Sequence, residues 1–125
     1  MIEDDDAVRG LFRAILEPVG YIIREAATGW EGIRRYREAP TDLVLTDVDM
    51  PGGTGMDVVR QLRADYPGVK ILVVSGSNAA DELRREAHRL GADAILGKPV
   101  GVDELRRAVA LVVQGQEGLG ARPLS

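Results

Sequence analysis

The sequence predicts an α/β protein built on a doubly wound parallel sheet, that is, a sheet with helices packed on both faces. Segments with helical and with strand-like periodicity alternate along the chain, which is typical of this class. Two short segments, Leu43–Thr46 and Lys70–Val74, are apolar almost throughout, as expected of strands that are covered on both faces. Helix-capping residues, prolines and glycines separate the segments from one another.

The first half of the chain contains two predicted helices and two predicted strands. Its elements are a helix over Ala7–Glu17, a short strand over Tyr21–Arg24, a helix from Thr28 to about Glu38 and the strand Leu43–Thr46. Asp5 or Asp6 caps the first helix, because a short acidic side chain can accept hydrogen bonds from the free N–H groups of a first turn. Thr28 and Glu31 have the spacing of a capping box, which opens the second helix.

The second half continues the alternation. Its predicted elements are the helix Met56–Asp65, the strand Lys70–Val74, a helix from about Ala79 to Leu90, the strand Ala94–Leu96 and the helix Asp103–Val113. Asp103 is the predicted cap of the last helix. The final residues are rich in glycine and have no apolar period, so we predict one domain over residues 1–114 and a flexible tail over residues 115–125.

Composition limits the classes of function. The chain has 125 residues, enough for one domain, and its zero cysteines exclude thiolate metal sites and favour a reducing compartment. A net charge of −4 argues against direct nucleic-acid binding. No apolar run is long enough to span a membrane, and no secretion signal opens the chain. We therefore predict a cytoplasmic protein without a membrane partner.

Five polar residues fall at the ends of predicted strands. Asp47, Ser75 and Lys98 each follow one of the apolar strands, and Glu3 and Asp4 come directly before the first helix. In parallel α/β sheets, ligands bind beyond the carboxyl ends of the strands. We therefore expect all five side chains to meet at one rim of the sheet.

The residue types at this rim suit phosphoryl transfer. Glu3, Asp4 and Asp47 offer only hard oxygen ligands, which favour Mg²⁺ or Mn²⁺, and a cation would offset the repulsion between the carboxylates. Lys98 and Ser75 supply a positive charge and a hydroxyl donor for a phosphoryl group. Asp47 is the predicted nucleophile, since its strand is the most apolar and the most central.

Four motifs in this order resemble the receiver domain of two-component response regulators. They are the acid pair Glu3-Asp4 before a helix, DLVLTDVDMPGGTG around Asp47, VVSGS with Ser75, and GADAILGKP with Lys98-Pro99. One such motif alone would be a weak indication, but four at these spacings are specific. The resemblance extends from Ile2 to about Val113, almost the whole chain.

The resemblance implies a flavodoxin-like fold with five parallel strands in the order 2-1-3-4-5. It also implies that Asp47 accepts a phosphoryl group from a phosphohistidine on a sensor histidine kinase or a phosphotransfer protein. Phosphorylation would then switch a protein-interaction face for an output protein that the sequence does not identify. On this view the chain is not an enzyme, except that it catalyses its own phosphorylation and dephosphorylation.

Specific roles also follow from the resemblance. Asp4, Asp47 and the main-chain carbonyl of Asp49 would bind Mg²⁺, with Glu3 acting through water. Ser75 and Lys98 would bind the phosphoryl oxygens, and the Lys98–Pro99 peptide bond would be cis.

Three features depart from the family pattern. Only Met1 and Ile2 precede the acid pair, so we expect a truncated first strand; either the true start lies upstream, or the sheet is weakened, or a homodimer restores the pairing. Ile95 stands where an aromatic residue is common, so we expect the switch to pass through the helix predicted over Ala79–Leu90. The side chain of Asp49 either contacts the water shell of the metal or repels an incoming phosphodonor.

Two other classes of function remain open from the sequence. The segment LVLTDVDMP also has the Asp-x-Asp pattern of haloacid-dehalogenase-like phosphatases, although 46 residues precede Asp47 and the later acids Asp103 and Glu104 are explained by a helix start. A receiver-like module that binds partners without being phosphorylated is the second alternative, which the short first strand favours.

Overall fold

The structure is a computed structural model, and it describes residues 1–47, 55–75, 85, 86 and 88–115. In this part of the chain, the elements are α1 (Asp6–Leu16), a 3₁₀ turn (Glu17–Val19), α2 (Gly29–Glu38), β1 (Val44–Asp47), α3 (Gly55–Asp65), β2 (Ile71–Ser75), β3 (Ala94–Gly97) and α4 (Val102–Gly115). Helices and strands alternate as the sequence predicts.

The three strands form one parallel sheet in the order β1-β2-β3. Val44 of β1 lies opposite Ile71 of β2, and Leu72 of β2 lies opposite Ala94 of β3. The α/β class and the parallel sheet are therefore confirmed. The predicted order of five strands is not, because only three strands form among the described residues.

The sheet separates two apolar clusters, each covered by helices. One cluster joins Val44, Ile71 and Val73 to residues of α2 and α3. The other joins the alternate strand residues, Leu45 and Leu72 among them, to residues of α1 and α4. Since successive strand side chains point to opposite faces, this division places helices on both sides of the sheet, as the doubly wound prediction requires.

Ile2 occupies the position of the truncated first strand. It makes isolated parallel bridges to Ala26 on one side and Thr46 on the other. Its N–H donates to the carbonyl of Leu45 at 2.7 Å, and its carbonyl accepts from the N–H of Asp47 at 3.0 Å. Ile2 thus bonds to β1, while its neighbours Met1 and Glu3 bond to Ala26 in the segment before α2.

Two local predictions are wrong. Tyr21–Arg24 is not a strand: the bridge beside Ile2 lies at Ala26, and Arg24 contributes only its carbonyl, which accepts from the amino group of Met1 at 2.8 Å. Asp103 does not cap the last helix, since α4 begins one residue earlier, at Val102. Glu104 accepts a hydrogen bond from the N–H of Gly101 instead.

The capping predictions for α1 and α2 are confirmed. Asp5 Oδ1 accepts from the N–H groups of Ala7 and Val8, so Asp5 rather than Asp6 is the cap. Thr28 Oγ1 accepts from the N–H of Glu31, as the capping box predicts.

Some predictions lie wholly or mostly outside the described residues. They concern the loop around Asp49, most of the helix predicted over Ala79–Leu90, and the tail beyond Gly115. Within the described ranges, none of the helices combines the length and the apolar character that a membrane crossing needs.

Candidate functional site

The carboxyl ends of the strands bring the predicted site residues to one rim. Asp47 is the last residue of β1 and Ser75 is the last residue of β2. Ser75 lies opposite Gly97, and the N–H of the next residue, Lys98, donates to the carbonyl of Ser75 at 2.8 Å. The register of the sheet therefore sets these three residues side by side. The Lys98–Pro99 bond is cis, as predicted.

Lys98 binds the two buried carboxylates of this rim. Its Nζ donates to Oδ2 of Asp47 at 2.6 Å and to Oε1 of Glu3 at 3.3 Å. Burial would lower the pKa of Lys98, but the hydrogen bond and the charge of Asp47, together with Glu3, outweigh it and raise the pKa. Lys98 is therefore a fixed positive charge on Asp47 at neutral pH.

Three acids crowd together beside this lysine. Carboxylate oxygens of Glu3, Asp4 and Asp47 lie within 4.8 Å of one another. Glu3 and Asp47 are only 1% and 2% exposed, whereas Asp4 is exposed. Burial, followed by the hydrogen bond with Asp47, raises the pKa of Glu3 to about 7. Glu3 is therefore protonated far more readily near neutral pH than a carboxyl group in water.

The three acids fit a hard divalent cation. One ammonium, which pairs with Glu3 and Asp47, lies beside three carboxylates, so the cluster carries an excess of negative charge that a cation would offset. Close-set carboxylate oxygens are the ligands that Mg²⁺ and Mn²⁺ prefer. Glu3, Asp4 and Asp47 are the residues of the described chain that could hold such an ion.

The backbone beside the acids is held by contacts that the sequence analysis missed. Oε2 of Glu3 accepts from the N–H of Asp5 at 3.1 Å, and Nη1 of Arg9 donates to the main-chain carbonyl of Glu3 at 2.6 Å. Nε of Arg9 also donates to Glu25 at 3.0 Å. Arg9 follows Asp6 by three residues, which signals a helical ion pair, but its contact with the carbonyl of Glu3 depends on how the turn folds.

Asp49 is the one predicted metal ligand that lies outside the described residues. The other predicted site residues, Glu3, Asp4, Asp47, Ser75 and Lys98, all lie on the rim.

Comparison with known proteins identifies the family to which this fold and rim belong. The family model for the response regulator receiver domain matches residues 1–110. The chain belongs to this family, the receiver domains of two-component signalling proteins. The match favours a signalling domain over the haloacid-dehalogenase-like phosphatase.

Relatives of several kinds are similar to the chain. It is 36% identical over 109 residues to the regulatory protein LuxO of Vibrio vulnificus, covering 87% of this chain and 24% of that protein. It is 37% identical over 123 residues to the sensor kinase CckA of Brucella abortus, covering 94% of this chain and 12% of the kinase. The chain therefore spans a quarter or less of these two relatives.

A crystal structure of a CheY-like receiver domain protein from Methanospirillum hungatei superimposes with a TM-score of 0.86 at 30% identity. The match covers 94% of this chain and 93% of that one. The fold is therefore that of a receiver domain over nearly its whole length.

Proposed function

We propose that Asp47 accepts a phosphoryl group from the phosphohistidine of a sensor histidine kinase or a phosphotransfer protein. The observation that carries the proposal is the ammonium of Lys98, which lies 2.6 Å from a carboxylate oxygen of a buried aspartate at the carboxyl end of a parallel strand. A lysine so placed orients the carboxylate before reaction and can bind a phosphoryl oxygen afterwards.

The reaction forms one bond and breaks one. A carboxylate oxygen of Asp47 attacks the phosphorus, the bond from phosphorus to the imidazole nitrogen breaks, and the imidazole takes up a proton from water. The product is an acyl phosphate on Asp47. Lys98 and the hydroxyl of Ser75, which ends the neighbouring strand, bind phosphoryl oxygens, and the chain acts only on itself.

The acids position a divalent cation for this reaction. Asp4 and Asp47 would hold Mg²⁺ or Mn²⁺, with Glu3 acting through water, and the family resemblance adds the main-chain carbonyl of Asp49. When bound, the cation neutralises charge that develops on the phosphoryl oxygens. Lys98 holds Asp47 and Glu3 in place. When no cation is bound, its ammonium supplies part of the positive charge that the cation would supply.

The wider role follows from the same proposal. Phosphorylation changes a protein-interaction face and so signals to an output protein, with no direct contact to nucleic acid. We place the reaction in the cytoplasm, within a receiver domain whose last helix, α4, reaches Gly115, one residue beyond the predicted boundary at 114. Position 95 is Ile and not the aromatic residue that is common in the family. The helix predicted over Ala79–Leu90 therefore transmits the change.

Incubation with a small acyl phosphate and Mg²⁺ tests the proposal. The intact chain should gain the mass of one phosphoryl group, and Asp47→Asn should gain none. Asp65→Asn is the matched control, because Asp65 is an exposed acid at the end of α3 whose carboxylate accepts from Gln61. It should label like the unmodified chain.

Other outcomes would assign the chain to the alternatives. Equal labelling of Asp47→Asn would contradict the role of Asp47. Rapid release of phosphate over many turnovers would favour a phosphatase. No reaction in any variant would favour the module that binds partners without being phosphorylated.

A further inference from the structure

Arg9 joins the acidic turn, residues 3–6, to Glu25 in the segment before α2. It lies in the first full turn of α1, and its side chain is only 14% exposed. Its guanidinium pairs with Asp6 and Glu25 and donates through Nη1 to the main-chain carbonyl of Glu3. One planar group with several donors thus holds three acceptors from three places along the chain.

The carbonyl of Glu3 matters because it belongs to the peptide unit that carries Asp4. The orientation of this peptide sets the direction in which the side chain of Asp4 leaves the backbone. Within the described part of the chain, no hydrogen bond holds the carboxylate of Asp4 itself, which is exposed. The position of Asp4 in the acid cluster therefore depends on its backbone.

Other contacts hold the opposite side of the same turn. The N–H of Glu3 donates to the carbonyl of Ala26 at 3.0 Å, and the N–H of Asp5 donates to the carboxylate of Glu3. Arg9 completes this set, because it fixes the one remaining polar group of the Glu3 backbone and ties it to Glu25, the neighbour of Ala26. Removing Arg9 frees that carbonyl to rotate.

We propose that Arg9 is a positioning residue for the divalent cation, acting by holding the peptide between Glu3 and Asp4. The inference rests on the proposed function, since it assumes that the acid cluster binds Mg²⁺. A purely electrostatic view predicts the opposite sign, because removing a positive charge near carboxylates favours a cation. We expect loss of position to outweigh loss of charge, because water screens the charge of Arg9 at the exposed carboxylate of Asp4, whereas a displaced ligand is lost to the ion.

The structure offers a matched control in Arg13, one turn further along α1. Arg13 also pairs with Glu25, and it pairs with Glu17, but it does not contact the carbonyl of Glu3. Arg9→Gln and Arg13→Gln therefore each remove one positive charge and one ion pair with Glu25. Only Arg9→Gln also removes the hydrogen bond to the main-chain carbonyl of Glu3.

Titration calorimetry with MgCl₂ on the full chain measures the difference. Arg9→Gln should weaken Mg²⁺ binding by about tenfold, the lower end of what removal of a residue that orients a metal ligand costs. Arg13→Gln should leave the Kd within about twofold. We expect both substitutions to lower the melting temperature by a similar amount. A difference in Mg²⁺ affinity between the two variants would therefore not come from a general loss of stability. If Arg9→Gln does not fold, Arg9→Lys and Arg13→Lys make the same comparison with a smaller effect.

Equal or tighter Mg²⁺ binding by Arg9→Gln, or equal weakening by Arg13→Gln, would overturn the role of Arg9 while leaving the proposed function intact. An unmodified chain that binds no Mg²⁺ would overturn both.

Discussion

The two ends of the sheet differ in how completely the chain fills them. At the carboxyl ends of the strands, Glu3 and Asp47 are buried and both contact Lys98. At the opposite end, an open groove of about 500 Å³ runs beneath Met1. Its lining is mainly apolar and includes Met1, Leu16, Val19, Tyr21, Ile22, Ile23, Leu43, Leu45, Val109 and Val113. Ile22, at the edge of this groove, is 88% exposed.

Both ends of the sheet are connected through Ile2. Ile2 alone pairs with both neighbours, and Glu3 follows it directly into the acid cluster. The groove lies where earlier residues of such a strand would run between Ile23 and Leu43. We therefore expect changes at the rim to affect ion binding, and changes at the groove to affect stability. Ile2 is the one place where both should change together.

The largest effect is expected from Gly32→Ala, which disturbs Ile2. A Cβ at Gly32 would overlap Cδ1 and Cγ1 of Ile2, which is 2% exposed, so the side chain of Ile2 must move. Overpacking of this kind lowers the free energy of unfolding by about 1–3 kcal/mol. Because Ile2 also aligns Glu3, Mg²⁺ binding should weaken too. Urea unfolding and Mg²⁺ titration measure the two effects.

Gly10→Ala is the control for this substitution. A Cβ at Gly10 meets nothing within 4 Å, and alanine in a helix is more stable than glycine by about 1 kcal/mol. This variant should be slightly more stable and should bind Mg²⁺ normally. If Gly32→Ala loses stability but keeps its Mg²⁺ affinity, the two ends are independent of Ile2.

The second prediction compares the loss of an acidic side chain at the rim with the loss of one at the groove. Asp4→Ala should weaken Mg²⁺ binding by about tenfold or more, since a charged ligand is lost. Its melting temperature should stay unchanged, because Asp4 is exposed. Asp42→Ala removes an equally exposed acid from the groove end and should leave the Kd unaltered. Unchanged binding by Asp4→Ala would exclude it as a direct ligand.

The third prediction concerns the groove. About five apolar residues added ahead of Met1 should raise the melting temperature by several degrees, since they bury apolar surface in the groove and extend the pairing of Ile2. The extension also replaces the amino group of Met1, whose pKa is lowered to about 6 because burial disfavours its charge. Mg²⁺ affinity should not change.

An extension of the same length made of glycine and serine is the matched control, because it removes the amino group without adding apolar surface. Equal melting temperatures for both extensions would show that filling the groove contributes nothing. A dimer that the apolar extension converts to a monomer would show that a second copy fills the groove.

The smallest effect is a pH dependence at the rim. Because the pKa of Glu3 is raised to about 7, the folded chain holds a proton there that the unfolded chain has released above its usual pKa near 4.5. Without Mg²⁺, Glu3 therefore makes the fold less stable as the pH rises from about 4.5 to about 7. With Mg²⁺, the proton competes with the ion, so affinity should fall by about threefold from about pH 7.5 to about pH 6.5. Glu3→Gln cannot ionise and should remove both dependences; a dependence that persists would assign it to another group.

Residues within one helix predict the caps of α1 and α2, although not the cap of α4, whereas a strand prediction depends on a neighbouring strand. Asp5 caps α1, and Thr28 caps α2, because a cap needs only the first turn of its own helix. Tyr21–Arg24 has strand-like residues but forms no strand, since a strand exists only where another strand pairs with it. The rim residues could be predicted because every strand of a parallel sheet ends at the same edge.

The sequence alone therefore determined the alternation of helices and strands, the parallel class of the sheet and the residue types at its carboxyl end. Only the tertiary structure decided how those residues share their charges. Lys98 is 95 residues from Glu3 and 51 from Asp47, and the strand register is what brings its ammonium closer to Asp47. Glu3 is buried whereas its neighbour Asp4 is exposed, and the folded turn lets Arg9 donate to the main-chain carbonyl of Glu3. Periodicity reports which face a residue occupies, but contact distances and desolvation depend on groups that are far apart in the chain.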